Sequence, residues 1–484
     1  MILVVNMIPN ALSKESFQDS EPNLSVNPGN PLEIAASAFT PDPMGGPNAP
    51  IYESKDGGHT WTLKSIVPSQ RITGDITQSF SGTDRRLYAG ILKVPPKPGA
   101  RTQQNILGTV DFQSSAVMTV FEDTLEQDQP WIRATTVQGG ADAGKDRFYV
   151  GYNDFRVQDG KTSTIGQSLD AATSSHPTVQ TIHIEKRSTA SQDGPQTRPV
   201  IHPDGTIYVA FYGWRARGAL RRVIADVVVV RDDNWGAGEH PYTALLDQDD
   251  SLPGVRVVQG ASFFFTLGPA IGQQRTGGDI AIAVDPKNSS VVYLVFGDDH
   301  QGPNYALHVR KSVDRGVTWS SDLLVITNAK NPALAINSNS EVALLYQQVV
   351  PTGVGPPDLV TGAGMRWETH LRRSLDGRAW SDLLLASTPA DRPVAAQARQ
   401  QQPYLGDYID VMAVGKDFYG VFCANNTPDR ANFPNGVVYQ RNADFDTRKL
   451  LANDGISTVP PSIDPFFFKF TDTDGDSLGD ESPT

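Results

Sequence analysis

The fold is decided by a hairpin pattern whose clearest copy is RPVIHPDGTIYVAFYGW, residues 198–214. Two runs rich in Val, Ile and Tyr flank the turn signal Pro203-Asp-Gly205. Successive side chains of a strand point to opposite faces of the sheet. Apolar residues at alternate or consecutive positions in each run therefore predict a strand with one or both faces buried. The segment is therefore interpreted as a strand, a tight turn and a second strand.

The same pattern recurs along the chain. The seven copies begin near Glu21, Asp75, Gln129, Arg198, Asp279, Asn331 and Asp407. Two further strands follow most copies, as in residues 305–321 and 366–385. Four strands per unit of about 50–80 residues are typical of propeller blades. The predicted fold is all-β, a β-propeller with seven four-stranded antiparallel blades. Six blades are the alternative count, and a β-sandwich is the competing architecture.

Domain boundaries follow from where the alternation ends. The propeller is predicted to span residues 1–445, and residues 446–484 are predicted to form a C-terminal extension with an acidic tail. A strand near residues 2–5 should join the last blade, because ring closure removes exposed sheet edges. Residues 390–401 could form one short helix.

Composition narrows the class of protein. The 484 residues include 43 Gly and 35 Pro, which favours turns over long helices. The net charge of −13 disfavours a nucleic-acid partner, because an acidic surface repels phosphates. The single cysteine, Cys423, excludes an intramolecular disulfide and a CxxC site. No run reaches the ~18 apolar residues of a membrane span. No secretory signal is expected in residues 1–23, which lack a basic start.

A turn motif stands between the third and fourth strands of three units. Residues 54–61 (SKDGGHTW) and 312–319 (SVDRGVTW) fit S-x-D-x-G-x-T-W, and residues 374–380 (SLDGRAW) are a shorter copy. An Asp in such a turn accepts backbone N–H groups, Gly takes a positive φ, and Trp packs between sheets. We therefore expect a structural role for Ser54, Asp56, Gly58, Trp61, Ser312, Asp314, Gly316, Trp319, Asp376 and Trp380.

This motif resembles the Asp-box (BNR repeat) of the sialidase superfamily. The segments SEPNLSVNP (20–28) and LGDYID (405–410) are also similar to bacterial sialidase-like propellers. The resemblance covers about residues 20–440 and implies an Asp-box propeller, either a glycoside hydrolase or a non-catalytic receptor or assembly factor. It also slightly favours an extracellular or cell-surface location. Sialidases hold the substrate carboxylate with three arginines, and Glu21-Pro22 stands where the first would be.

Candidate site residues come from the inner-strand starts, which line one mouth of a propeller channel. Asp75, Asp279 and Asp407 are candidate acids or bases, assisted by Tyr408 or Tyr404. Neighbouring carboxylates push their pKa values apart, as glycoside hydrolysis requires. The candidates for gripping an anionic or hydroxyl-rich ligand are Glu21, Arg71, Arg198, Arg275 and Arg399. In the alternative interpretation, each Asp caps its own turn and each Arg neutralises it.

Metal binding is a further expectation. The tail carries Asp472, Asp474, Asp476 and Asp480 at alternate positions, as in calcium-binding loops. A solvated acidic tail is the alternative. The acidic channel mouth could also hold one cation. No cofactor is expected to be required, and calcium is a possible one.

The leading functional hypothesis is a carbohydrate-directed propeller, with exo-glycosidase activity at the channel mouth. The expected partner is a glycan or glycoconjugate. The alternatives are a non-catalytic propeller that binds a glycan or a protein, and a structural domain of a larger assembly.

Overall fold

The computed structural model describes residues 1–39, 48–69, 73–82, 84–96, 99–172, 176–219, 222–265, 277–299, 305–359, 361–393 and 403–472. These residues form strands and three short 3-10 helices, at Asn10–Leu12, Gln158–Gly160 and Arg430–Asn432. No α-helix occurs in the described ranges. The predicted all-β class is therefore confirmed.

Strand β1 (Ile2–Asn6) opens the chain, and six four-stranded sheets follow in sequence order. The first blade contains β2 (Ser20–Val26), β3 (Ile34–Phe39), β4 (Asn48–Ser54) and β5 (Thr62–Pro68). The second contains β6 (Thr73–Phe80), β7 (Leu87–Lys93), β8 (Gln103–Thr109) and β9 (Thr119–Leu125). The third contains β10 (Gln127–Thr136), β11 (Asp146–Asp154), β12 (Ser163–Ser168) and β13 (Gln180–His183).

The next three blades repeat this order. The fourth contains β14 (Asp193–Ile201), β15 (Ile207–Arg217), β16 (Arg222–Asp232) and β17 (Val255–Phe264). The fifth contains β18 (Ile280–Asp285), β19 (Asn288–Asp298), β20 (Ala306–Ser312) and β21 (Leu324–Thr327). The sixth contains β22 (Ala329–Ile336), β23 (Val342–Pro351), β24 (Met365–Ser374) and β25 (Ser381–Pro389).

The seventh blade joins the two ends of the chain. Its remaining strands are β26 (Asp410–Val414), β27 (Asp417–Asn425), β28 (Val438–Tyr439) and β32 (Ile463–Phe470), and its order is β26-β27-β32-β1-β28. A small separate sheet contains β29 (Ala443–Asp444), β30 (Lys449–Leu451) and β31 (Thr458–Val459). β1 pairs antiparallel with β32, with Val4 opposite Phe468. The N-terminal strand therefore completes the last blade, as predicted.

The predicted domain boundary at residue 445 needs correction. β32 is the third strand of the seventh blade, so this blade extends to Phe470. The strand was missed because Phe466, Phe467 and Phe468 are all fully buried, and a strand buried on both faces has no alternation. Within the segment predicted as an extension, β32 (Ile463–Phe470) is thus part of the ring, whereas β30 and β31 belong to the small separate sheet.

The blades surround a central axis in chain order. Each inner strand, from β2 through β6, β10, β14, β18 and β22 to β26, contacts the next, and β26 contacts β2. The blade count is therefore seven.

Apolar side chains fill the space between neighbouring blades. Trp61 of the first blade lies 5.2 Å from the Phe467 ring of the seventh, measured between centroids. Burying a side chain of this size contributes about 1.5–3 kcal/mol. The helix predicted at 390–401 falls mostly on residues outside the described ranges. Among the residues described, no helix is long and apolar enough to cross a membrane.

Candidate functional site

The two complete S-x-D-x-G-x-T-W turns have matching hydrogen bonds. We call residues 54–61, 312–319 and 374–380 the first, second and third Asp turns. In the first, Asp56 accepts the Thr60 backbone N–H at 2.9 Å and the Thr60 hydroxyl at 2.6 Å. The Ser54 hydroxyl donates to Asp56 at 2.9 Å and accepts the Gly58 N–H at 2.9 Å. The Trp61 indole N–H donates to the Gly58 carbonyl at 3.0 Å.

The second Asp turn repeats these contacts with Ser312, Asp314, Gly316, Thr318 and Trp319. The third turn keeps the Ser, Asp and Trp contacts but has no Thr hydroxyl. There Asp376 accepts the N–H groups of Arg378 and Ala379 at 2.7 and 3.0 Å. All the donors to these three carboxylates come from their own turns, which supports a structural role.

A related turn in the fourth blade has no sequence motif. Asp232 accepts the N–H groups of Asn234 and Gly236 at 2.8 and 2.6 Å, and Trp235 lies between them in sequence. Trp235 has a φ of 59°, as Arg315 has a φ of 63° at the matching position before Gly316 in the second Asp turn. Trp235 therefore lies in a turn of this kind.

Three of the inner strands begin with a shared backbone irregularity at the channel mouth. Glu21, Gln129 and Asn331 have φ values of 55°, 59° and 52°, and each precedes a proline. The pairing register of their strands shifts at the same point. Such bulges turn a side chain away from its regular direction. They are the local reason why the predicted ring of polar residues occurs at this mouth.

The segment 404–408 lies across the mouth and is held by other blades. Glu21 accepts the Tyr404 hydroxyl at 2.8 Å and the Asp407 backbone N–H at 3.2 Å. The Gln196 side chain donates to the Asp407 carbonyl at 2.9 Å. Lys330 and Asn331 donate to the Gly406 carbonyl at 2.9 and 3.1 Å. Blades one, four and six thus position the residues that precede β26.

An aromatic and cationic stack lies beneath this segment. The Arg198 guanidinium carbon is 3.4 Å from the Trp131 ring centroid and 5.5 Å from that of Tyr408. The Trp131 and Tyr408 rings meet edge to face at 5.4 Å. Arg198 donates to the Gln196 side-chain oxygen at 3.0 Å, which is a neutral partner. The third, fourth and seventh blades therefore contact one another through Trp131, Arg198 and Tyr408.

The charges around this stack are buried. Burial raises the pKa of Tyr408 well above its ordinary value, and the carboxylates of Asp75 and Glu21 raise it further. Burial lowers the pKa of Arg198, while the Asp410 carboxylate acts in the opposite direction. Burial also raises the pKa of Asp410, although Arg133 forms an ion pair with it at 3.1 Å. Within the described part of the chain, no carboxylate forms an ion pair with Arg198.

The structure separates one predicted acid from the others. Asp75, Glu21 and Asp407 all act electrostatically on Tyr408. Asp279 is buried beside two other tyrosines, Tyr212 and Tyr305, and its charge raises the pKa of both, after burial. The predicted ring of polar residues is thus divided. Asp75, Glu21 and Asp407 lie near Tyr408, whereas Asp279 lies near Tyr212 and Tyr305.

Several predicted site residues fall outside the described ranges. These are Arg71, Arg275, Arg399, Asp474, Asp476 and Asp480. Of the predicted calcium tail, only Asp472 is described, and it is partly buried. The prediction of a metal site in the tail stays a prediction.

Four polar residues of the mouth were not predicted. Gln196 and Lys330 hold the 404–408 segment, and Arg133 pairs with Asp410. Of these four, only Asp410 lies in a segment that the sequence singled out, because it is the last residue of LGDYID, 405–410. The other three have no local motif, because their role depends on which blades face each other.

A cavity of about 260 Å³ follows the channel from this stack. Trp131, Arg133, Arg198 and Asp410 line its polar part, and residues of the fourth to seventh blades line its apolar part. This volume is just below the ~300–1,000 Å³ of typical ligand sites. Arg198 is therefore next to a space that a small charged group could enter.

No protein-family model matches the chain, and no curated protein matches it. Similar solved structures include a Dyadobacter fermentans protein of unknown function, at 12% identity and a TM-score of 0.44, covering 97% of this chain and 98% of that one. A Hadza microbial sialidase has 13% identity and a TM-score of 0.38, covering 80% of this chain and 73% of that one. A Penicillium chrysogenum alpha-L-arabinanase, solved with arabinobiose, has 12% identity and a TM-score of 0.36, covering 96% and 97%. At these levels the similarities carry no inference about activity.

Proposed function

We propose that this chain is a carbohydrate-directed β-propeller that binds an anionic, hydroxyl-rich sugar at the channel mouth. The observation that carries the proposal is the Arg198 guanidinium over the Trp131 ring, with Tyr408 edge to face against Trp131, beside the channel cavity. The Asp410 carboxylate acts on Arg198 without an ion pair, so the guanidinium can still donate directly to an anionic group of a ligand. Aromatic faces and polar groups in one pocket are also the elements that bind a sugar ring.

Exo-glycosidase activity is the reaction that this arrangement favours. The charges of Asp75, Glu21 and Asp407 raise the pKa of Tyr408, after burial, whereas the charge of Arg198 lowers it. A carboxylate next to a tyrosine can accept its proton, and the arginine can stabilise the phenolate. In the proposed reaction, Tyr408 attacks the anomeric carbon while Asp75 accepts its proton, and the bond to the leaving-group oxygen breaks as Asp407 protonates that oxygen. Water then releases the sugar from Tyr408, and Arg198 binds the anionic substituent throughout. The cavity of about 260 Å³ beside these residues suits the end of a glycan chain.

A non-catalytic binding propeller is the second candidate. Glu21 and the Asp407 backbone hold the 404–408 segment, so residues of the mouth have a structural use. This candidate predicts the same ligand without turnover. It requires no reacting group at Tyr408.

A glycan array run beside a panel of chromogenic glycosides tests the proposal. We expect binding to acidic glycans and release of the chromophore by the wild type. Tyr408→Phe should keep binding and lose turnover, because only the hydroxyl is removed. Binding without turnover by the wild type would select the non-catalytic candidate. Absence of any glycan binding would contradict both.

A further inference from the structure

A second cavity lies at the outer side of the ring, between the fourth and fifth blades. It has a volume of about 270 Å³ and is lined by residues 247–249, 255–257, 259 and 317–319. Those before 260 belong to the β16–β17 connection and to β17, the outermost strand of the fourth blade, and 317–319 belong to the second Asp turn. We call this space the rim cavity. Within the residues that the structure describes, it shares no lining residue with the channel cavity.

Trp319 gives the rim cavity an aromatic wall. The equivalent Trp61 of the first Asp turn is only 1% exposed. Trp319 packs against the core between the fourth and fifth blades but is only half-buried. Its indole N–H donates to the Gly316 carbonyl at 3.1 Å, which fixes the direction of the ring. The same cavity is lined by three valines, Val255, Val257 and Val317. Such a wall suits the apolar face of a sugar ring, because aromatic side chains bury a large apolar area.

The opposite side of the rim cavity is a network of polar side chains. An Arg256 nitrogen lies 2.8 Å from an Asp247 carboxylate oxygen and 3.1 Å from one of Asp249. Asp249 also accepts the Gln259 side-chain amide at 2.8 Å. Burial raises the pKa of Asp247, but hydrogen bonds from Arg256 outweigh this and lower it to about 2. Each carboxylate of this cavity is thus paired with a guanidinium.

A second guanidinium fixes the 247–254 loop that carries these groups. Arg187 donates to the two oxygens of Asp250 at 2.8 and 2.9 Å and to the Gly254 carbonyl at 2.9 Å. The loop is therefore tied to the connection between the third and fourth blades. A polar wall that is in place before the ligand arrives lowers the entropic cost of binding.

We propose that the rim cavity binds a neutral oligosaccharide, with one sugar ring packed on Trp319 and hydrogen-bonded to Asp249 and Gln259. The Asp249 side chain is 67% exposed, so its carboxylate can accept sugar hydroxyls. The exposed Gln259 amide can both donate and accept. An anion would face Asp247 and Asp249, and a cation would face Arg256, so neutral hydroxyl groups match this wall best. The site is independent of the channel mouth and does not require Arg198 or Tyr408.

Calorimetric titration of the full-length Arg198→Gln variant with cellohexaose, xylohexaose and mannohexaose tests the rim cavity. This background removes the proposed anion contact at the channel mouth. We expect at least one hexaose to bind, with the same dissociation constant as in the wild type. Adding Trp319→Leu should weaken this binding roughly ten-fold, because the aromatic wall is lost. Adding Gln259→Ala should weaken it roughly two- to ten-fold, because one neutral hydrogen bond is lost.

Trp380→Leu is the matched control for Trp319→Leu. Trp380 of the third Asp turn is also half-buried, and its indole N–H donates to the Gly377 carbonyl at 3.0 Å. This variant should lose a similar amount of stability and keep the hexaose affinity. Equal affinities of the two tryptophan variants would overturn the proposal. Because Gln259 is exposed, its variant also tests the site where Trp319→Leu fails to fold, and an unchanged affinity there would overturn the proposal as well.

Two further outcomes separate this site from other interpretations. Absence of hexaose binding to the Arg198→Gln variant would overturn the proposal. Tighter binding of trilysine than of any hexaose would also overturn it, because the cavity would then be a cation site. Loss of acidic-glycan binding in Arg198→Gln, with hexaose binding kept, would support two separate sites. Hexaose binding without any acidic-glycan binding by the wild type would support the rim cavity and contradict the channel mouth.

Discussion

The Asp turns and the channel mouth use the same residue types in opposite ways. In the first Asp turn, every hydrogen bond that Asp56 accepts comes from Ser54 or Thr60. At the mouth, Tyr408 is surrounded by groups from other blades, including Trp131, Arg198 and Asp75. A carboxylate with a complete local set of donors has little capacity left for a ligand. A group assembled from several blades has properties that only the closed ring produces.

The electrostatics of the two regions differ in direction. Burial raises the pKa of Asp56, but hydrogen bonds from Thr60 and Ser54 outweigh this and lower it overall. Burial raises the pKa of Asp410 at the mouth, and the nearby arginines only reduce the effect. The first Asp turn therefore stabilises the ionised form of Asp56. The mouth instead keeps Asp410 buried, where its ionised form costs free energy. Such a cost is common where a ligand binds.

The largest expected effect concerns the packing of the first Asp turn. Gly58 has a φ of 94°, and a Cβ atom there would lie 2.0 Å from a Phe467 ring carbon. Gly58→Ala should lower the free energy of unfolding by roughly 2–5 kcal/mol, because strain adds to overpacking. Gly316→Ala is the matched variant, with a φ of 81° and a nearest contact of 3.2 Å. It should cost about 1–2 kcal/mol. Equal losses in denaturant titrations would contradict this account of the turn.

The second-largest expected effect concerns the support of the 404–408 segment at the channel mouth. Lys330 is fully buried and donates to the Gly406 carbonyl. Lys330→Met should lower stability by about 1–3 kcal/mol and weaken glycan binding, because the 404–408 segment loses a support. Stability is measured by denaturant titration and binding by calorimetry. An unchanged binding constant in a folded variant would show that this segment does not shape the site.

A smaller effect follows from the second Asp turn. Burial raises the pKa of Asp314, but hydrogen bonds from Thr318 and Ser312 lower it overall. Asp314→Asn should cost about 1 kcal/mol at neutral pH. A carboxylate with a lowered pKa contributes stability above its unfolded pKa of about 3.9, and this is lost as the pH falls through the folded value. The difference in thermal midpoint between wild type and variant should therefore shrink below about pH 4. A difference that stays constant with pH would contradict the assignment.

The smallest effect is expected in the third Asp turn. Asp376 accepts two backbone N–H groups and the Ser374 hydroxyl, without a Thr hydroxyl. Asp376→Asn should cost about 0.5 kcal/mol, which is less than Asp314→Asn. Thermal midpoints of the two variants, measured side by side, check the order. A larger loss in Asp376→Asn than in Asp314→Asn would mean that the Thr318 hydroxyl does not stabilise the second Asp turn.

Local patterns predicted the blades and the turns, because both depend on residues close in sequence. The Pro203-Asp-Gly205 turn and the S-x-D-x-G-x-T-W motif lie within single hairpins or strand connections. The run Phe466–Phe468 was misread because burial on both faces removes the alternation. Residues that meet only through the ring were beyond prediction, as Lys330 and Gln196 show. Asp279 shares its sequence context with Asp75, yet it lies beside different tyrosines.

The most direct test compares Arg198→Gln with Asp314→Asn in one binding experiment. The ligand is the acidic glycan that the wild type binds most tightly on the array, and the measured quantity is its dissociation constant. Arg198→Gln should weaken binding roughly ten- to a hundred-fold, because a charged hydrogen bond is lost at a buried site. Arg198→Lys keeps the positive charge, so its dissociation constant should lie between those of Arg198→Gln and the wild type. Asp314→Asn should bind like the wild type. Equal affinity of Arg198→Gln and the wild type would contradict a ligand site at the channel mouth.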